Sequence, residues 1–342
     1  MSGSFGPGTN YVYAEDGTCP DGIDVYKVTG KKLTHLQNVQ VGCSETVYYG
    51  AHHVDVVRAP QDCLIYSSSG ENTVYSFKIH PKTGELSAKP AGSVAVDDPQ
   101  DITSAGSTAF VSSPSASIDV LRVGSGCALT LTSENSTNDE QDVNIGLAGP
   151  TTVVSADIFS GDMVAYKLHK NGKLAEIASD PGQLPAPDGI AVANGGRDVY
   201  TGSASGFNPA EAQGFSYVDN AFTPLPGSPQ TSSDQSSKFG IAMVAATKYH
   251  LLAEGDISGQ ISWYKLGRKM SYTGDTALAD PTGQPTDFAL RGDNLLVAQT
   301  YGGDLEDCTL ATDNVSDCHT VATLTGAGSG NGGSVAILTE KK

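Results

Sequence analysis

One pattern restricts the fold more than any other feature of the chain. An alternating apolar run, a short turn and a second alternating run return about every 40 to 50 residues, the spacing of a blade-like repeat. Successive copies open at "HHVDVVRAPQDCLIYSSSGENTVYSFKI", "QDITSAGSTAFVSSPSASIDVLRV", "QDVNIGLAGPTTVVSADIFSGDMVAYKL", "DGIAVANGGRDVYTGSASG", "FGIAMVAATKYHLLAEGDISGQISWYKL" and "TDFALRGDNLLVAQTYGGDLEDCTL". Ahead of them, "NYVYAEDGTCPDGIDVYKVTGKKLTHLQNVQV" has three strands of a unit and lacks the first; behind them, "GGSVAILTE" is a single leftover strand. Joining the two ends makes a seventh unit and removes two exposed sheet edges. The expectation is therefore an all-β, seven-bladed β-propeller of four-stranded antiparallel blades. It forms one domain over residues 1–342, with residues 333–340 completing the first blade.

Composition agrees with this. Charged residues make up only 17% of the 342, and glycine numbers 40, so turns are frequent and helix-favouring surfaces scarce. A formal charge of −18 with 20 basic residues argues against nucleic acid and membrane surfaces as partners, since both need a basic patch to displace counterions. No run is long and apolar enough to cross a membrane as a helix, and the first residues lack the basic start and apolar stretch of a signal peptide. Six cysteines without zinc-type spacing suggest disulfides, and the sequons at Asn135 and Asn314 fit the same reading. The expectation is a mature secreted monomer whose leader has been removed, with a cytoplasmic protein as the alternative. Placed on the propeller topology, Cys19 neighbours Cys43, Cys63 neighbours Cys127, and Cys308 and Cys318 flank one hairpin, an arrangement among the fifteen pairings that six cysteines allow.

Aligning the inner strands by their alternation puts His53, Asp101, Asp142, Asp188, Phe239, Asp287 and Gly333 at the entrance of the central channel. Aspartate before an apolar run often caps a turn by accepting backbone N–H groups, which gives these acids a structural explanation. If instead they point inward, the crowded carboxylates must protonate, pair with a base or hold a cation. On the chemical reading, His53, Asp101, Asp142, Asp188 and Asp287 are the catalytic candidates, acting as general base on water and general acid on a leaving oxygen. Phe239, Tyr301 and Phe207 would contact substrate. No cofactor is required; the alternative is a divalent cation (Ca²⁺, Mg²⁺, Mn²⁺ or Zn²⁺) on His53, Asp101 and Asp142. Nucleophile elbows, zincin motifs and Walker loops are absent from the sequence, and the Gly-rich "GSGNGG" at Gly328 leads into the closing strand and reads as a connection.

The stretches "NTVYSFKIHPKTGELSAKPAGSV" and "NAFTPLPGSP" resemble the repeat grammar of the seven-bladed lactonase propellers, the group that includes 6-phosphogluconolactonase-like and fungal carboxymuconate-cyclising enzymes. The resemblance implies opening or closing of small lactones by acid, base and arginine side chains at the channel mouth. The sequence departs from that pattern in its arginines, of which there are five: Arg58, Arg122, Arg197, Arg268 and Arg291. Phosphorylated and polycarboxylate substrates, which need a guanidinium fork or lysine cluster, are disfavoured. The leading expectation is a lactonase-like hydrolase acting on a small neutral lactone or related cyclic ester. A non-catalytic extracellular binding or antigen-like propeller, and a cyclase or isomerase with the same acid and base, remain the alternatives.

Overall fold

The computed structural model describes residues 10–15, 22–42, 53–115, 117–137, 142–157, 160–180, 187–203, 211–231, 240–256, 258–300, 303–324 and 333–339. They form seven antiparallel sheets, each with four strands running outward from a common axis; the fifth gains a short extra strand, Gln230–Thr231. The innermost strands are Val335–Thr339, Val54–Val57, Ile102–Ala105, Asp142–Gly149, Pro187–Ala193, Gly240–Ala246 and Gln284–Arg291, for blades 1 to 7. Blade 1 is composite. Val335–Thr339 pairs with Asn10–Glu15, setting Tyr13 opposite Ala336, and Gly22–Thr29 and Lys32–Gln40 complete the sheet. The ring is thus closed by the last strand of the chain, as the repeat requires.

Strand alternation decides where the apolar surface goes, because neighbouring side chains face opposite sides of a sheet. In Asn10–Glu15, Tyr11 and Tyr13 pack towards blade 2, while Val12 and Ala14 pack towards blade 7. Each of the seven seams holds one such cluster, so the core is a ring of interfaces. Burial of these side chains is the main force holding the blades together.

Polar staples fix the seams beside the closure. The turn within "HPKTGEL" lies against blade 1: Tyr11 and Tyr13 donate hydroxyl hydrogen bonds to the carbonyls of Lys82 (3.0 Å) and Gly84 (2.9 Å). Gly84 has φ +71°, and a Cβ there would fall 2.2 Å from the Tyr11 ring, so only glycine fits. Arg58 donates to the Thr339 carbonyl at 2.7 Å. Arg291, itself buried, donates to the Gly30 carbonyl (2.8 Å) and to Asp307 Oδ2 (2.9 Å), linking blade 7 to blade 1. Cys63–Cys127 joins blades 2 and 3, and Cys308–Cys318 spans the hairpin of blade 7, both as expected. Cys19 and Cys43 lie outside the described residues.

Arg291→Ala leaves the Asp307 carboxylate buried without its cation. The expected cost is about 3 to 5 kcal/mol of unfolding free energy by urea titration, and a loss below about 1 kcal/mol would show that the pair does not hold the clasp.

Candidate functional site at the channel mouth

An inner strand is paired on one side only, so the backbone groups of its other edge face the axis. A channel of ≈ 430 Å³ runs between these edges, beginning at Val54, Ile102, Ile145 and Val335 on four of the strands. At this end the structure supplies acceptors from one blade to the next. Asp287 Oδ2 accepts the Val335 N–H (2.7 Å) and the Ser334 hydroxyl (2.9 Å), while its Oδ1 accepts the Phe288 N–H (2.6 Å). Ser334 Oγ accepts the Val54 N–H at 3.3 Å, and Asp101 Oδ2 accepts the Ile145 N–H at 2.8 Å. Each donor directly follows the equivalent position on its own strand. The belt of equivalent positions therefore reads Asp287, Ser334, His53, Asp101 and Asn144 over five consecutive blades.

Two sequence expectations need correcting in register. Ser334 holds the blade 1 position in place of Gly333, since its carbonyl accepts the Glu15 N–H at 2.9 Å and its hydroxyl faces blade 2. In blade 4 a bulge between Asp142 and Asn144 brings Asn144, buried and opposite Ala156, to the belt; Asp142 lies beyond it, opposite Asp157. Asp188 falls within a similar irregularity between Pro187 and Ile190. The side chains of Asp142 and Asp188, and Phe239, Phe207 and Tyr301 altogether, lie outside the described residues. Of the catalytic candidates, the structure therefore describes His53, Asp101 and Asp287, all buried.

One belt position carries an imidazole. His53 Nδ1 stands 3.6 Å from Glu15 Oε2, and the Tyr66 hydroxyl donates to Glu15 Oε1 at 3.3 Å. Glu15 ends the second strand of blade 1 and is fully buried; His53 is 3% exposed. The pair is placed by backbone, because the Glu15 N–H is held by Ser334 and the His53 carbonyl accepts the Ser67 N–H at 2.9 Å. The separation is that of an ion pair and not of a hydrogen bond, so the carboxylate acts on the imidazole through its charge, an arrangement compatible with an oriented general base. Sequence reasoning missed Glu15, which precedes an Asp-Gly turn and looks like a solvated turn acid. The signal that could have found it is the "VYAE" alternation, which makes Ala14 and Glu15 the last residues of a strand buried on both faces.

Charge is segregated between the two faces of the ring. Every described lysine and arginine lies in, or within three residues of, a turn joining inner to second strand or third to outer strand, all on the face opposite the mouth. The mouth face carries carboxylates, including Glu71, Asp97, Asp98, Asp101, Asp157 and Asp287. Several are tied into turns: Asp157 Oδ1 accepts the Ser160 N–H at 2.9 Å. Asp119, on the third strand of blade 3, has its carboxyl pushed up to about 6 by burial and by Glu134 and Asp97, against the backbone hydrogen bond from Asn135.

Asp287→Ala removes three donors' acceptor at the closure and should cost more than about 3 kcal/mol, with hydrogen exchange accelerating first in Val335–Thr339; unchanged exchange there would contradict the tether. For Asp119, the folded carboxyl lies above its unfolded value of 3.8, so its contribution to stability is complete below that value and is lost as pH rises through about 6. Asp119→Asn should therefore melt above wild type at pH 7 and lose that advantage near pH 4, whereas parallel melting curves would contradict the burial effect.

No family model and no curated protein sequence matches the chain. Solved structures do. A periplasmic gluconolactonase of Pseudomonas aeruginosa matches with TM-score 0.67 and 16% identity, covering 92% of this chain and 99% of that one. A putative 6-phosphogluconolactonase of Bacteroides fragilis matches with TM-score 0.74 and 12% identity, covering 98% and 99%. Chaetomium thermophilum Sqt1, bound to the N-terminus of ribosomal protein L10, matches with TM-score 0.63 and 12% identity, covering 91% and 84%. At these identities the likeness establishes a shared propeller fold, on which lactonases and a protein-binding propeller are both built.

Proposed function

We propose that the chain is a lactonase-type hydrolase of an oxidising compartment, acting on a small neutral lactone at the belt end of its channel. The observation that carries this reading is the buried Glu15–His53 pair at the one belt position where an imidazole replaces an acid or hydroxyl. Glu15 at Nδ1 sets Nε2 as the base. His53 takes a proton from water as its oxygen attacks the lactone carbonyl carbon; the ring C–O bond then breaks and the imidazolium returns the proton to the leaving alkoxide. Tyr66, donating to Glu15, is a positioning residue. Asp101 and Asp287, engaged by neighbouring backbone N–H groups, support the ring around the site and do not transfer protons. Metal-free chemistry is preferred over a cation on His53 and Asp101, because Asp101 Oδ2 already accepts the Ile145 N–H and His53 Nδ1 faces Glu15.

Among the described residues the mouth carries carboxylates and no lysine or arginine, and this sets the charge of the substrate. Phosphorylated or carboxylated lactones meet like charge without a compensating guanidinium, whereas neutral lactones pay no such penalty. The two disulfides support the oxidising compartment.

The test is a pH-stat screen of γ- and δ-lactones. A neutral lactone should be hydrolysed faster than its anionic analogue, with the gap narrowing as salt is raised. His53→Ala and Glu15→Gln should each lower kcat by about 100-fold or more, and chelation should leave the rate unchanged. No turnover above background across the panel, or both variants as fast as wild type, would sink the reading; loss of rate on chelation would replace the base with a metal.

A further inference from the structure

The face opposite the mouth carries a charge pattern that the proposed chemistry does not use. The net charge of the chain is −18, yet on blades 1 to 4 this distal face is strongly basic. Lys31, Lys82, Lys89, Arg122, Lys170 and Lys173 are all exposed there, in or beside the turns between third and outer strands. The acids interspersed with them are Asp62, Glu85 and Glu176. By contrast, on blades 6 and 7 Lys248 is paired with Asp293, and Lys265 with Asp313, at 2.5 Å each, which leaves the adjacent Arg268 and Lys269 exposed there, while the longer basic arc belongs to the first four blades. Because third-to-outer turns lie far from the axis, the basic groups form a curved band along the rim. A depression of ≈ 520 Å³, lined by Lys78, His80 and Gln61 and also by the acids Asp62 and Glu85, opens within that band. Lys78 reaches across the seam, its Cε 3.7 Å from where a Gly126 Cβ would stand, so the band is continuous from blade 2 to blade 3.

We infer that this arc docks an extended carboxylated polysaccharide, leaving the channel mouth facing away from it. A row of separate cations along a rim matches a chain that repeats one charge per sugar. Lysine predominates, and its single hydrated ammonium pairs with one carboxylate at a time, while the interspersed Asp62, Glu85 and Glu176 keep the charge density of the arc below what closely spaced phosphates or sulfates would need. A membrane surface is disfavoured, since Val218 of blade 5 is the sole large hydrophobic side chain found exposed among the described residues, and nothing is there to insert beside the lysines. The same scarcity of exposed aromatics removes the stacking platform that single-stranded nucleic acid needs. Opposed faces also give the polymer a defined orientation: the acidic mouth repels a polyanion while the distal rim attracts it.

The probe is an oligogalacturonate of about twelve sugars, titrated into the full chain at low salt by fluorescence anisotropy, with neutral dextran, duplex DNA and phosphatidylserine vesicles in parallel. Binding should be specific to the uronate and weaken steeply as salt rises. The variant Lys82→Glu/Lys89→Glu/Lys170→Glu should lose at least tenfold in affinity at unchanged melting temperature, while the blade 6 variant Arg268→Glu/Lys269→Glu changes little. Absence of uronate binding, equal binding of DNA or vesicles, or a blade 4 and blade 2 variant that binds like wild type would each overturn the assignment. Lactone turnover is measured separately and does not enter this outcome.

Discussion

The unpaired inner edge of seven short strands is the constraint on which the rest of the molecule depends. Outer parts of each blade satisfy their backbone in the sheet ladder, but at the axis no further strand is available. An unpartnered N–H buried there costs free energy comparable with a lost hydrogen bond. At three of the seven seams the chain meets this by letting one inner strand lend a side-chain acceptor to the next, as Asp287 does for Val335, Ser334 for Val54 and Asp101 for Ile145. Ring closure uses the same device. The last strand of the chain is caught by Asp287 on one side and offers Ser334 to blade 2 on the other.

The belt also determines where chemistry can arise. A carboxylate already accepting backbone N–H groups is held in place and is poorly suited to transfer protons. His53 cannot substitute for it as an anionic acceptor, and instead faces Glu15. A local break in a structural rule, at a position shielded from solvent and next to the channel, is where function is expected to lie. The remaining acids give the mouth its field, and the turns of the opposite face collect the bases. Strand direction sorts the turns of each blade into two sets, and the sequence places the described lysines and arginines in one of them.

Much of the architecture was legible in the sequence because alternation and turn spacing report directly on strands. The seven blades, the terminal clasp and two disulfides followed from them. Register at the axis did not, since a bulge leaves no mark on an apolar alternation: Asp142 and Asn144 have the same period, and only the pairing with Asp157 and Ala156 shows which reaches the belt. Glu15 was hidden for a different reason. Its role depends on blade 2 lying against blade 1, and such a contact between His53 and a residue 38 positions earlier has no local signature. The charge separation could have been read from the sequence once strands were assigned, by sorting lysines according to turn type.

The most direct measurement is a crystal structure of the protein with a non-hydrolysable lactam analogue of a neutral lactone. The account predicts the lactam carbonyl beside His53, with Glu15 still at Nδ1 and with Asp101 and Asp287 still bonded to Ile145 and Val335. A lactam seated instead against Asp101 and Asp287, with those tethers broken, would contradict the division of the mouth into a structural belt and one chemical pair.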